Sequence, residues 1–378
     1  MRLFFHEVRK IVSWKLLLLI LLVNVLLFKL LIEFDLENFP NGRPAGDHFY
    51  IEQQIIPLFG AEWDEEELLK LQAMYEEEVL VADTYLANDP EAVALGMNSY
   101  EKFDNYEYEN EEQYAYRNKT IFESNLDFPW RLQTYDWYLK ERQDREKSII
   151  AYSNDASEGQ KKRLQQLLDE KRFAVYSDVV TNNFKTFKTS IAIAIFVSIA
   201  ILISPIFIRD KIANVVPIQY ASAKGRKLYR TKWFAGLFSG TFLTAILLIF
   251  YMALYRANDT QSHFDLPLTS FSWYYHWYDI TFWQYIILSV VVIFILSIVL
   301  TILTMAISSI VPNRIVLIAV QIIVQFMMIA VGAIYVVQHV INLNYAQLFV
   351  PSLVVGFTLF TVLIMWAVWK RELKRDIV

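Results

Sequence analysis

Five stretches of the chain, residues 190–208, 233–255, 282–310, 315–337 and 348–369, contain no Asp, Glu, Lys or Arg. Each is 19 residues or longer, and about 20 apolar residues cross a bilayer as a helix. A sixth stretch, Leu16–Ile32, carries a single charge, Lys29. The pattern predicts six transmembrane helices. Ahead of them, Phe4, Phe5, Val8, Ile11 and Val12 recur at helical spacing opposite Arg2, Glu7, Arg9 and Lys10. Met1–Ser13 therefore reads as an amphipathic helix lying in the membrane interface.

A long polar insertion, residues 35–185, separates the first two spans, and its periodicity is also helical. Leu68, Leu71, Tyr75, Val79, Ala82 and Leu86 step by three or four along one face, and Asn88-Asp89-Pro90 ends that helix. A second helix follows Pro129 through Trp130, Leu132, Tyr135 and Leu139, and a third runs from Ser157 through Leu164, Leu167, Leu168 and Val175. Residues 98–127, rich in Tyr, Asn and Glu, have no clear period. The expected organisation is residues 1–34 (interfacial helix and first span), 35–185 (outer domain) and 186–378 (five spans). The fold class is an all-α polytopic membrane protein.

Composition narrows the picture. The 378 residues are 55% hydrophobic and 20% charged, with net charge −5 and no cysteine. So many apolar spans exclude a soluble enzyme or a nucleic-acid-binding protein. Without cysteine there is no disulfide, iron–sulfur cluster or zinc–thiolate site. The insertion, with 32 acidic and 16 basic side chains, has a net charge of −16. The segments that alternate to the other side (1–15, 209–232, Arg314 and the tail from Lys370) hold 16 basic and 4 acidic ones. Positive segments stay in the cytoplasm. Both termini are thus expected inside, with the acidic domain outside a cell membrane, and a cysteine-free outer domain suits a bacterium.

Motif searches turn up no catalytic machinery. Gly225-Arg226-Lys227 lacks the upstream glycine and the following hydroxyl of a phosphate loop. His6-Glu7 opens like a zinc-protease helix, but Lys10 replaces the second ligand. Gly236-Leu237-Phe238-Ser239-Gly240 places its serine one position too late for a nucleophile elbow. The chain is read as a non-enzyme that itself binds no cofactor and no metal. The acidic runs Asp64–Glu67 and Glu76–Glu78 lack calcium-loop spacing and read first as solvated helix faces, with a cationic ligand as the alternative. The aromatic run Trp273–Tyr278 reads first as an interfacial belt, with a lid over an exit path as the alternative.

The loop 209–232 carries more order than its charge requires. Asp210 stands where the chain leaves the second span, followed by the apolar run Val215-Val216-Pro217-Ile218, the small pair Ala221-Ser222 and the turn Gly225-Arg226. This arrangement resembles the first inner loop of the type-2 family of ATP-binding-cassette (ABC) transporter permeases, the branch with a large extracellular domain between the first two spans. Asp210 takes the place of the family's usual glutamate. Asn214 takes that of a glycine, and asparagine tolerates left-handed backbone.

The resemblance implies a permease half of an exporter, moving a peptide, drug or lipid-like substrate. It would pair with a second permease, as homodimer or heterodimer. ATP and Mg would be bound by separate cytoplasmic ABC ATPase subunits that dock on a coupling helix, here Ile212–Ser222. It further implies that Asp210, Pro217, Tyr220, Ser222, Gly225 and Arg226 transmit the ATPase stroke.

Polar residues within the spans, Asn24, Thr301, Thr304, Gln321 and Gln325, are candidates for a translocation path, with interhelical hydrogen bonding as the plainer reading. Expected partners are those subunits and membrane lipids, with no nucleic acid. Two rival readings remain. One is a membrane sensor or accessory protein whose outer domain binds a ligand such as an antimicrobial peptide. The other is a lipid-modifying enzyme, for which no His, Asp or Ser constellation is evident.

Overall fold

The computed structural model describes residues 2–221, 225, 227–272 and 275–374. Helices make up 79% of it and no sheet is present among the described residues. Among the described residues, six helices are long and apolar enough to cross a membrane: Trp14–Glu37, Val179–Ile212, Lys227–Asn258, Phe282–Ile310, Arg314–Val337 and Phe349–Glu372. The chain is an all-α, multi-pass membrane protein. It divides into two compact units. One comprises Met1–Asn38, Asn182–Asp259 and Trp283–Val378, and the other Phe39–Thr181 with Thr260–Phe282.

In the membrane unit the second and fourth spans are central. Two-thirds (67%) of the second span's apolar window is buried, against 11% of the sixth. The second span breaks at Pro205 into Val179–Ile203 and Pro205–Ile212, because proline removes a donor from the helical ladder. Ser308 of the fourth span covers the break. Its hydroxyl accepts the Phe207 and Ile208 N–H groups at 3.2 and 3.3 Å and donates to the Ser204 carbonyl at 2.6 Å. The third and fourth spans approach closely along Gly236 and Gly240. A Cβ on Gly240 would stand 2.5 Å from the Thr301 hydroxyl. The run that failed as a nucleophile elbow is thus a small-residue packing stripe.

The N-terminal helix, Arg2–Ile11, packs on the third span, with the Phe4 and Phe238 rings 5.7 Å apart. One residue departs from the expected faces: Glu7, assigned to the polar side, is buried. Glu7 turns inward because Lys10 lies 3.6 Å away to pair with it.

In the second unit, called the outer unit after the side on which it is expected, the expected helices span Glu65–Asn88, Phe128–Asn154 and Glu158–Asp169. Asp64 and Ser157 start two of them with capping boxes, and Pro90 opens the short helix after the first. Val175 is not in the third helix, which ends at Asp169. Lys171 takes a positive φ of 53°, and Tyr176 then pairs with Ser270 and Ser272 through backbone hydrogen bonds. Residues 98–127, without a readable period, contain Tyr100–Asp104 and Glu111–Asn118. Their aromatic residues join one core in which Phe103, Tyr116 and Phe128 pack with Ala82, Leu86 and Leu132.

Segment 260–282 is held within this unit by buried polar contacts. Glu52, Tyr138 and His263 are fully buried. Glu52 accepts from the Tyr138 hydroxyl at 2.8 Å and the Ser177 N–H at 2.5 Å, and it meets His263 Nε2 at 2.9 Å. Burial and then the Glu52 charge push the Tyr138 phenol well above its usual range. Arg145 donates to the Thr269 carbonyl at 2.7 Å and covers the Tyr275 ring. Arg163 grips Asp279 with two nitrogens and the His276 carbonyl with a third. Of the aromatic run, Trp273 and Tyr274 lie outside the described residues. Tyr275 is buried against Arg145 and Tyr152, so it packs inside the outer unit.

Candidate functional site

At one end of the membrane unit the N-terminal helix, the loop after the second span and the end of the sixth span converge. Asp210 lies at their centre, 5% exposed. It accepts from Lys10 at 3.4 Å and Gln219 at 2.9 Å, and pairs with Lys232, itself 4% exposed. Lys232 also reaches the Gln219 side-chain oxygen at 3.4 Å. Arg209 donates to the Lys10 carbonyl at 2.9 Å. One carboxylate therefore ties together the N-terminal helix, the second span, the loop and the third span. A charge this buried is tolerated because cations and an amide saturate its oxygens.

The loop folds differently from the expected helix Ile212–Ser222. Ile212 closes the span-end helix Pro205–Ile212, and Asn214 takes a positive φ of 52°. Only Val216–Ala221 then forms a separate short helix. The left-handed Asn214 supplies the turn that a glycine would allow. Gly225 also has a positive φ, 43°.

This short helix buries none of its residues. Pro217 is exposed, and Ile218 is 71% exposed. Its other side is anchored through Gln219 on Asp210 and Tyr220 on Glu372. Tyr229 bonds Ser309 at 3.0 Å and packs on Phe207 and Trp369. The space enclosed among Asp210, Gln219, Tyr220, Lys232 and Glu372 is only about 30 Å³. That is room for a water and for nothing larger, so the cluster is a joint and not a substrate chamber.

Of the residues singled out for coupling, Asp210 and Tyr220 sit in this joint, Pro217 is on the outward side of the short helix and Gly225 is at the following turn. Ser222 and Arg226 lie outside the described residues. Sequence reasoning missed Lys10, Gln219, Lys232 and Glu372. A signal for part of this was present: Glu7, Asp210 and Glu372 are scarce acids in positively biased segments, and all three are buried.

The candidate path residues do not form one lining. Asn24 donates to Ser198 at 2.7 Å and accepts from Tyr251 at 2.8 Å. Thr301 bonds its own helix at Ser297 and packs on Gly240. Thr304 meets Gln321 at 3.5 Å. Gln325 keeps buried amide atoms without a hydrogen-bond partner among the described residues. The first three contacts are interhelical packing or glue of the kind common in membrane bundles.

Lys188 was not anticipated, because it lies two residues before a charge-free window. It is fully buried, 2.6 Å from the Tyr285 hydroxyl, 3.2 Å from Ser289 and 3.9 Å from the Tyr285 ring centre. In the outer unit, Asp64 and Glu67 close the capping box and Glu66 pairs with Lys70. No cluster of His, Asp and Glu fit to hold a metal occurs among the described residues.

Residues 93–373 match the family model described as ABC-2 family transporter protein. No match was found among curated proteins or among solved structures.

Proposed function

The chain belongs to the ABC-2 transporter family, and we propose that it is the permease of an exporter driven by a separate ABC ATPase. The observation that supports this most is the short helix Val216–Ala221. It offers Ile218 outward and is tied at its back to Asp210 and Glu372. Ile212, Pro217 and Ile218 all expose apolar side chains on this charged stretch, and an apolar surface of this kind suits a protein partner. A push on Ile218 would pass through Gln219 to Asp210, and from there to the second and third spans. Pro205, where the second span already breaks, is a natural flexing point.

In this reading both termini and the loop face the cytoplasm, as their positive charge favours. The ATPase holds ATP and Mg, and a second permease packs on the exposed apolar side of the fifth span, at Ile318, Ile322 and Phe326. The acidic outer unit favours cationic cargo such as an amphipathic peptide. Copurification tests the docking. Ile218→Asp should abolish recovery of a coexpressed partner ABC ATPase while leaving the melting temperature of the permease unchanged. Undiminished recovery would refute the assignment.

A further inference from the structure

Between the third, fourth and sixth spans lies a cavity of about 480 Å³, within the roughly 300–1,000 Å³ of small-molecule sites. Its lining includes Trp233, Phe234, Val362, Trp366 and Trp369. Phe234 and Trp366 are 60% and 55% exposed, so the cavity opens sideways on the surface of the membrane unit. The charged residue of the lining is Arg230, whose guanidinium lies 5.6 Å over the Trp369 ring. Lys370 stands 3.8 Å over Trp366.

Lys227 and Arg371 are exposed on the same two helix ends. The neighbouring carboxylate, Glu372, is buried and bonded to Tyr220, so the rim is cationic. Arg and Lys beside tryptophan mark the depth of lipid headgroups.

We propose that this cavity binds one acyl chain of an anionic phospholipid, with the lipid phosphate held by Arg230 and Lys370. The apolar walls match the hydrocarbon, and the rim matches the charge. The sixth span is the least buried of the six, and a chain seated there gives it the packing it otherwise lacks. Its end carries Glu372, so occupancy also props the Tyr220 contact of the short helix.

The test uses the full-length permease in nanodiscs of phosphatidylglycerol or phosphatidylcholine with brominated chains. It reads retained lipid by native mass spectrometry and quenching of tryptophan fluorescence. Wild type should retain phosphatidylglycerol over phosphatidylcholine by about thirtyfold, as expected for two basic residues near a headgroup. Arg230→Gln should cut phosphatidylglycerol retention about fivefold and leave phosphatidylcholine unchanged. Val362→Trp, which fills the cavity, should remove retention of both.

Both positions are exposed, and the wild-type preference needs no variant. Equal retention of the two lipids by wild type, retention unaffected by Val362→Trp, or a lipid-free complex with a second permease copy would each overturn the proposal.

Discussion

Asp210 and Lys232, 22 residues apart in sequence, form an ion pair buried at both ends. It lies inside a loop whose surface is otherwise positive. The pair joins the end of the second span to the start of the third, and Lys10 and Gln219 attach the N-terminal helix and the short helix to the same carboxylate. Removing one partner leaves the other buried and unpaired, which costs about 3–5 kcal/mol. Lys232→Met and Asp210→Leu should each lower the melting temperature of the permease clearly. The double variant should recover much of the loss, because an apolar pair of similar size needs no counter-charge. An additive double variant would show that the two residues act separately.

Glu52 plays the corresponding part in the outer unit. Its carboxylate gathers Tyr138, Ser177 and His263 with no exposure to water. Glu52→Ala orphans these donors, each at about 1–3 kcal/mol. In the full-length protein, limited proteolysis should then cut within 260–282 while the membrane unit stays intact. An unchanged digestion pattern would show that the network does not hold that segment.

His339 gives a pH dependence with a definite sign. Burial, followed by the Lys185 and Lys188 charges, pushes it down from its ordinary 6.5 to about 4. The folded chain therefore holds it neutral where the unfolded chain would protonate it. The stability tied to this neutral form is complete above pH 6.5 and is lost as pH falls from 6.5 toward 4. The melting temperature of wild type should fall more steeply over that window than that of His339→Gln. Parallel curves for the two proteins would contradict the assignment.

The spans and the outer helices were legible because burial in lipid and helical stripes both act through local sequence. Segment 260–282 was not, because its place in the outer unit rests on contacts such as Glu52 with His263, 211 residues apart. The extent of the short helix was misjudged because the turn at Asn214 divides a run that reads as continuous. Glu7 was misplaced because helical spacing assigns faces by polarity. It cannot see that Lys10 and Asp210 lie where the helix packs. Tyr220 was expected to transmit the ATPase stroke, yet its bond to Glu372 means that an acid placed there would disturb the joint itself. Ile218 is the better probe.

The most direct test of the account exploits the absence of cysteine from the chain. Single cysteines at Ile218 and at Asp155, both exposed positions, would be placed in otherwise wild-type permease coexpressed with its ATPase. A short bifunctional maleimide would then be applied to membranes with and without ATP. The account expects a permease–ATPase adduct at Ile218→Cys, changing in yield with ATP, and none at Asp155→Cys. In intact cells, only Asp155→Cys should react with an impermeant thiol reagent. Absence of the adduct at Ile218→Cys with both subunits present, or labelling of that cysteine from outside, would contradict the assignment of Val216–Ala221 as the site that receives the ATPase.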